Sequence, residues 1–224
     1  MHDKKYCYPN SNVLINKQGI TDAKKLFLAE VNYTSVRLFE LQEKPIRGSF
    51  DFKHLCKIHK YIFQDVYEWA GKVRTIDIGK GNMFCCVQNI SGFSEIIFKK
   101  YFASCYDAKN DRELFVKTLA DNYADLNALH PFREGNGRSQ REFARELCLK
   151  CGYVFDLSGT THKEMLEASI ISFNEGDNSK LLEIFEKAVI PSGEYKESDI
   201  AYISILTSDD LDIEDVADSY EYYD

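Results

Sequence analysis

Nothing in this chain approaches the roughly 18 to 20 consecutive apolar residues that a membrane-spanning helix requires. The opening residues, Met-His-Asp-Lys-Lys-Tyr, are not followed by the short apolar stretch of a secretory leader, so a cytoplasmic protein with no membrane partner is expected. Basic excess is missing too: 28 Lys and Arg stand against 36 Asp and Glu, a net charge of −8. Eleven of those acids lie between Ser192 and Asp224 with a single lysine, leaving the rest of the chain near neutral. No basic face is in prospect, and nucleic acid is excluded as a partner. The cysteines are seven, odd in number and scattered, which does not suit a disulfide framework. Cys148 and Cys151 form a CxxC, but two further ligands at zinc spacing are lacking, and both read as small core residues. No internal repeat is visible.

What is present is core material: 44% hydrophobic and 13% aromatic residues in 224, enough for one well-filled core. Apolar residues recur at helical spacing over Ile20 to Leu41, Phe52 to Trp69, Gly92 to Tyr106, Asp111 to Leu129, Arg138 to Cys151, His162 to Ser172 and Ser179 to Val189. Between Lys72 and Val87 the pattern changes to strand, glycine-rich turn (Gly79-Lys80-Gly81-Asn82) and strand. A mainly α protein follows, a helical bundle with one small β-hairpin. It divides into an N-terminal helical segment at 1–51 packing on a core at 52–190, and an acidic tail at 191–224. Pro191 and Gly193 mark the last boundary. The tail reads as a solvated extension, although Ile200, Tyr202, Ile203, Ile205 and Leu206 offer apolar contacts. His54 and His59 fall in the second helix without partners, and surface or packing roles are expected for them.

The chemistry concentrates between His130 and Arg141, which reads His-Pro-Phe-Arg-Glu-Gly-Asn-Gly-Arg-Ser-Gln-Arg at the turn between two helices. Gly135 and Gly137 lack a Cβ, so the backbone can adopt positive φ and bring amide N–H groups close to a ligand. The following helix contributes its unpaired N-terminal amides and the positive end of its dipole. Arg138 and Arg141, three residues apart, can bracket a polyphosphate. Glu134 beside an anion site needs a cation between itself and the ligand, and magnesium, which accepts one or two carboxylates and completes its shell with phosphate and water, is the expected ion. His130, with a reference pKa of about 6.5, suits a general base.

This segment resembles the signature of the Fic family, HxFx(D/E)GNGRxxR, which His130, Phe132, Glu134, Gly135, Asn136, Gly137, Arg138 and Arg141 match. The run Val66-Tyr67-Glu68-Trp69-Ala70-Gly71, with Arg74-Thr75 and Ile78-Gly79-Lys80-Gly81, is similar to the approach to that family's hairpin flap, and the resemblance covers roughly Phe52 to Phe185. It implies the Fic fold, with the flap beside the active-site loop. It also implies transfer of AMP from ATP to a Tyr, Thr or Ser hydroxyl of a target protein, with magnesium-bound pyrophosphate leaving. By the same resemblance His130 is the base and Glu134 holds Mg2+. Gly135, Asn136, Gly137, Arg138 and Arg141 hold the phosphates, joined by Lys80 and Gly81 of the flap. An extended stretch of the target would add to the flap as an edge strand, presenting its hydroxyl to His130.

The alternatives are a Doc-like kinase, a UMP or GMP transferase, or a catalytically idle nucleotide-binding interaction protein. Doc-type kinases carry Lys where this chain has Gly137, so glycine favours nucleotidyl transfer. Many Fic proteins are restrained by a helix bearing (S/T)xxxE(G/N), whose Glu pairs with the second signature arginine. Here Glu175-Gly176 has Ile171 four residues before it, and the register is broken. A class I arrangement is expected, with a separate small antitoxin-like inhibitor engaging Arg141.

Overall fold

The computed structural model describes residues 5–80 and 82–195, with the backbone alone at Lys80. Gly81 and most of the acidic tail therefore lie outside the described residues, as do the apolar tail positions from Ile200 to Leu206.

Seven helices carry the described structure: α1 (Ala23–Glu43), α2 (Phe52–Phe63), α3 (Ile90–Ala108), α4 (Arg112–Leu129), α5 (Asn136–Cys151), α6 (His162–Glu175) and α7 (Ser179–Ala188). Their starts are written in the sequence. Asp22, Asp51 and Asp111 each turn a carboxylate onto the third amide of the helix that follows, and Thr161 with Glu164 closes a reciprocal capping box on α6. At the other end, Gly152 (φ 90°) and Gly176 (φ 70°) stop α5 and α6 in the left-handed conformation glycine adopts without cost. Among the described residues no helix is long and apolar enough to cross a membrane.

Helix α5 is the axis of the bundle, buried from Arg138 through Cys148. Around it pack α2, α3 and α4, while α1 lies across α2. Phe143, Ala144, Leu147 and Cys148 give α5 an apolar face in the core. Its charged residues are buried as well, so each needs a partner. The Arg145 guanidinium donates to both carboxylate oxygens of Glu142 at 2.8 and 2.6 Å. Glu146 accepts the Ile46 amide at 2.9 Å and lies 3.1 Å from the ring of His54. Cys148 and Cys151 are buried thiols, the latter at the end of α5.

Three features differ from the sequence reading. Helix α2 stops at Phe63, six residues before Trp69, because the chain folds back to bury Val66 and Tyr67 and to stack Tyr67 on Trp69 with ring centroids 4.2 Å apart. The hairpin is shorter than Lys72 to Val87: only β1 (Gly79–Lys80) and β2 (Asn82–Met83) pair, and Val87–Asn89 forms a 3-10 turn leading into α3. A second two-stranded sheet, β3 (Tyr153–Phe155) with β4 (Val189–Pro191), joins the end of α5 to the end of α7. Its short apolar segments adjoin helices and are too brief to show a period of their own.

Candidate active site: the turn between α4 and α5

Helix α4 ends where His130 enters the left-handed region at φ 44°, a conformation that costs a residue with a Cβ about 1 kcal/mol or more and persists only where surroundings enforce it. Several contacts enforce it here. The His130 amide donates to the Leu126 carbonyl at 3.2 Å, and the buried Arg74 guanidinium donates through Nε to the His130 carbonyl at 2.9 Å. The Arg74 amide takes the next carbonyl, that of Pro131, at 2.9 Å. On the ring, Nδ1 lies 3.1 Å from the Asn127 carbonyl oxygen. A carbonyl only accepts, so Nδ1 carries the proton and Nε2 is the basic nitrogen.

The turn closes on itself. Phe132 is fully buried, and the Asn136 side chain clasps its backbone, accepting the Phe132 amide at 2.9 Å and donating to the Phe132 carbonyl at 2.8 Å. Asn136, expected to steady phosphates, thus has both ends of its amide bonded to the backbone of the loop. Gly135 sits at φ 77°, and a Cβ there would stand 2.1 Å from Cζ of Phe63. It is also the N-cap of α5, with no side chain capping the helix, so the first amides of α5 are available to an anion. Ser139 returns its hydroxyl to the Gly135 carbonyl at 2.9 Å.

The charged residues flank this cradle. Glu134 is half-buried, with one carboxylate oxygen accepting the Gly135 amide at 2.9 Å and standing 3.8 Å from Arg138. Arg138 and Arg141 are both buried on the first turns of α5. The Arg138 guanidinium lies 4.7 Å over the Phe63 ring, donates to the Glu30 carboxylate of α1, and reaches the Thr34 hydroxyl at 3.3 Å. Glu30 also accepts from the Tyr67 hydroxyl. Arg141 folds back along α5, and a Cβ on Gly137 would be 3.1 Å from its Nη1, so glycine at 137 leaves room for that guanidinium.

Beneath the turn, His59 is fully buried between Phe132 and Phe63, with ring centroids 3.8 and 4.7 Å away. Its Nε2 bonds the Glu134 carbonyl and its Nδ1 the Gly71 amide. Above it, Phe84 lies parallel to the His130 imidazole, 3.7 Å between centroids and 10° between planes.

The structure thus brings His130, Glu134, Gly135, Asn136, Gly137, Arg138 and Arg141 onto one turn; Lys80 lies in β1 of the hairpin, and Gly81 is outside the described residues. Sequence reasoning missed four supporting residues: His59, Phe84, Glu30 and, in its role, Arg74. The one faint signal was a histidine on an apolar helix face four residues before Phe63. Among the described residues no cluster of three or more His, Cys, Asp or Glu could hold a metal by itself. One half-exposed carboxylate does suit an ion that takes most of its shell from phosphate and water.

A helical scaffold thus carries an imidazole, two glycines, the opening amides of a helix and two arginines into one turn, a set of groups suited to a phosphate. Residues 49–148 match the Fic/DOC family. The protein adenylyltransferase VbhT of Bartonella schoenbuchensis is 40% identical over 169 residues, covering 75% of this chain and 35% of that protein. The "Probable protein adenylyltransferase Fic" of Salmonella typhimurium is 36% identical over 186 residues, covering 82% of this chain and 91% of its own. Among solved structures, the N-terminal Fic domain of a VirB-translocated Bep effector from Bartonella quintana, with bound ADP, superposes with a TM-score of 0.79. It is 29% identical, and the match covers 83% of this chain and 94% of that one. The BepC effector of Bartonella tribocorum with bound AMPPNP gives a TM-score of 0.78 at 25% identity, over 83% of this chain and 96% of that one. The chain belongs to the Fic/DOC family and has the Fic fold. It spans about a third of the length of VbhT and most of the length of the Salmonella protein.

Proposed function

We propose that the chain is a protein adenylyltransferase, moving AMP from ATP to a Tyr, Thr or Ser hydroxyl of a target protein. The observation that carries this reading is the position of the His130 ring: Nδ1 lies 3.1 Å from the Asn127 carbonyl, which only accepts, so Nε2 serves as the proton acceptor. The names of the relatives and the nucleotides bound in the solved neighbours support it.

The reaction follows from these parts. The target hydroxyl gives its proton to His130 Nε2 and its oxygen forms a bond to the α-phosphorus. The bond from that phosphorus to the bridging oxygen breaks, and pyrophosphate leaves with the electron pair. The amides of the Gly135 turn and the guanidinium of Arg141 stabilise the phosphate charge by preorganised placement. Arg138, tethered to Glu30, sets the positive wall behind the β- and γ-phosphates. Glu134 would hold magnesium, whose contribution is to neutralise phosphate charge. The hairpin β1–β2, with Lys80 in its first strand, is the surface that receives an extended stretch of the target.

By the family resemblance Gly137 favours AMP transfer over kinase action, since Doc-type kinases carry Lys at that position. The broken register before Glu175-Gly176, with Ile171 four residues earlier, is what supports inhibition by a separate small antitoxin-like protein at Arg141.

Incubating the protein with magnesium, cell lysate and either α- or γ-labelled ATP tests the reading. Label is expected on protein from the α position only. His130→Ala should abolish that labelling while leaving nucleotide affinity within about twofold, because the base acts on the acceptor hydroxyl rather than on ATP. Label from the γ position would make the protein a kinase, and no label from either a binding protein.

A further inference from the structure

The rings of Phe84 and His130 come from segments 46 residues apart, yet they lie face to face at 3.7 Å with only 10° between their planes. That pairing is built from both sides. The Phe84 amide donates to the Ile78 carbonyl at 3.1 Å, and the next amide, of Cys85, donates to the Ala128 carbonyl of α4 at 3.1 Å. A single guanidinium, Arg74, donates to the carbonyl of His130 and to that of Cys85. The backbones bearing the two rings are therefore tied together twice, and neither can slide without breaking a bond to the other. Phe84 also packs against Phe173 of α6, with ring centroids 4.9 Å apart and 35° between planes. Next to it, the Asn82 side-chain amide of β2 donates to Asn174 of α6 at 2.7 Å. The end of α6 thus holds the hairpin against the catalytic turn.

We infer that Phe84 is a positioning residue of the transfer reaction: its ring fixes the plane of the His130 imidazole, and Phe173 with the Asn82–Asn174 bond fixes Phe84. The inference rests on the AMP-transfer reading for its rate consequence, but the geometry stands apart from it. The Asn127 carbonyl holds Nδ1 at the ring edge, and the Phe84 face lies flat against the imidazole plane. A tilt of the imidazole about Cβ–Cγ would drive its edge into that face. Attack on phosphorus needs near in-line geometry, and a misplacement of about 1 Å can cost about a hundredfold in rate. An apolar side chain without a flat face fills the same space but does not set a plane.

Three variants and two readouts separate this role from simple packing. Phe84→Leu keeps apolar volume and loses the face; Phe84→Tyr keeps both; Phe173→Leu removes the neighbouring ring. For transfer of α-labelled AMP, Phe84→Leu is expected to lower kcat about ten- to a hundredfold with KM for ATP within about twofold, Phe84→Tyr to restore most of it, and Phe173→Leu to add little in the Phe84→Leu background. Loss in KM alone, an unimpaired Phe84→Leu, or a Phe84→Tyr as poor as Phe84→Leu would overturn the assignment.

The second readout is the NMR signal of the His130 ring in the full chain. Stacking predicts upfield ring-current shifts of its carbon-bound protons. They should be diminished in Phe84→Leu and retained in Phe84→Tyr, while the Nδ1–H tautomer, set by the Asn127 carbonyl, should persist in both. If the protein transfers no AMP at all, the reading of its function fails and this signal alone decides the positioning claim. Unshifted ring protons in the unmodified chain would reject it.

Discussion

The Nε2–H of His59 donates to the backbone carbonyl of Glu134 across 2.9 Å, while Nδ1 of the same ring accepts the Gly71 amide at 2.8 Å. An amide only donates and a carbonyl only accepts, so both ring nitrogens are committed and the imidazole is neutral. Burial pushes its pKa down to about 3. The bond to the Glu134 carbonyl works against that fall, and the positive charge of Arg138 adds to it.

The consequence is a pH-dependent stability whose sign is determined. Between the unfolded value of about 6.5 and the folded value, the unfolded chain holds a proton that the native ring refuses, so stability falls as pH falls, by about 1.4 kcal/mol per unit. From pH 6.5 to pH 5 this group should cost about 2 kcal/mol. Urea midpoints of the unmodified chain and of His59→Gln, compared at pH 7 and pH 5, should converge as the pH drops. Parallel lines would mean that His59 is not neutral in the fold.

Arg74 joins three carbonyls, those of His130, Ile76 and Cys85, with one planar group. Lysine offers charge without the fork. Arg74→Lys should lower stability by about 2 to 4 kcal/mol and slow AMP transfer at least as much as Phe84→Leu. Full activity in a folded Arg74→Lys protein would show that the His130 backbone needs no such tether.

Glu30 and Arg138 form a buried ion pair between α1 and α5. Removing Glu30 takes a directly bonded carboxylate from the buried Arg138 and leaves Glu134 at 3.8 Å, and breaking a buried pair costs about 3 to 5 kcal/mol. Glu30→Ala should therefore destabilise the fold by that order in urea denaturation, and Glu30→Ala/Arg138→Met should recover part of the loss. A double variant weaker than the single one would mean that the pair is not the relevant interaction.

Gly135 has both a positive φ and no space for a methyl group, with Phe63 2.1 Å from the place a Cβ would take. Gly135→Ala is expected to reduce ATP affinity at least tenfold by calorimetry, since the cradle must open to admit the methyl group. Gly152 has a similar φ but nothing within 4 Å. Gly152→Ala should cost about 1 kcal/mol of stability without touching nucleotide binding, and serves as the matched control.

How much was readable beforehand depends on the range of the interactions involved. Every helix was visible as an apolar repeat, and α4 and α5 were bounded within two residues, because caps and glycines act on their immediate neighbours. Helix α2 ran too long in the sequence reading since Val66, Tyr67 and Trp69 continue its spacing; only the stacking of Tyr67 on Trp69 turns the chain away. The pairing of β3 with β4 was invisible because residues 153–155 and 189–191 find each other across two helices.

The sequence alone determined the turn between α4 and α5: a histidine, a carboxylate, two glycines and two arginines at set intervals fall within a dozen residues. The tertiary structure decided how that turn is held. His59 beneath it, Phe84 beside His130, Arg74 across its backbone and Glu30 against its first arginine come from elements far apart in the chain. Contacts of that kind are selected by packing a shared core, where a buried ring or guanidinium must satisfy partners that no short-range spacing can name.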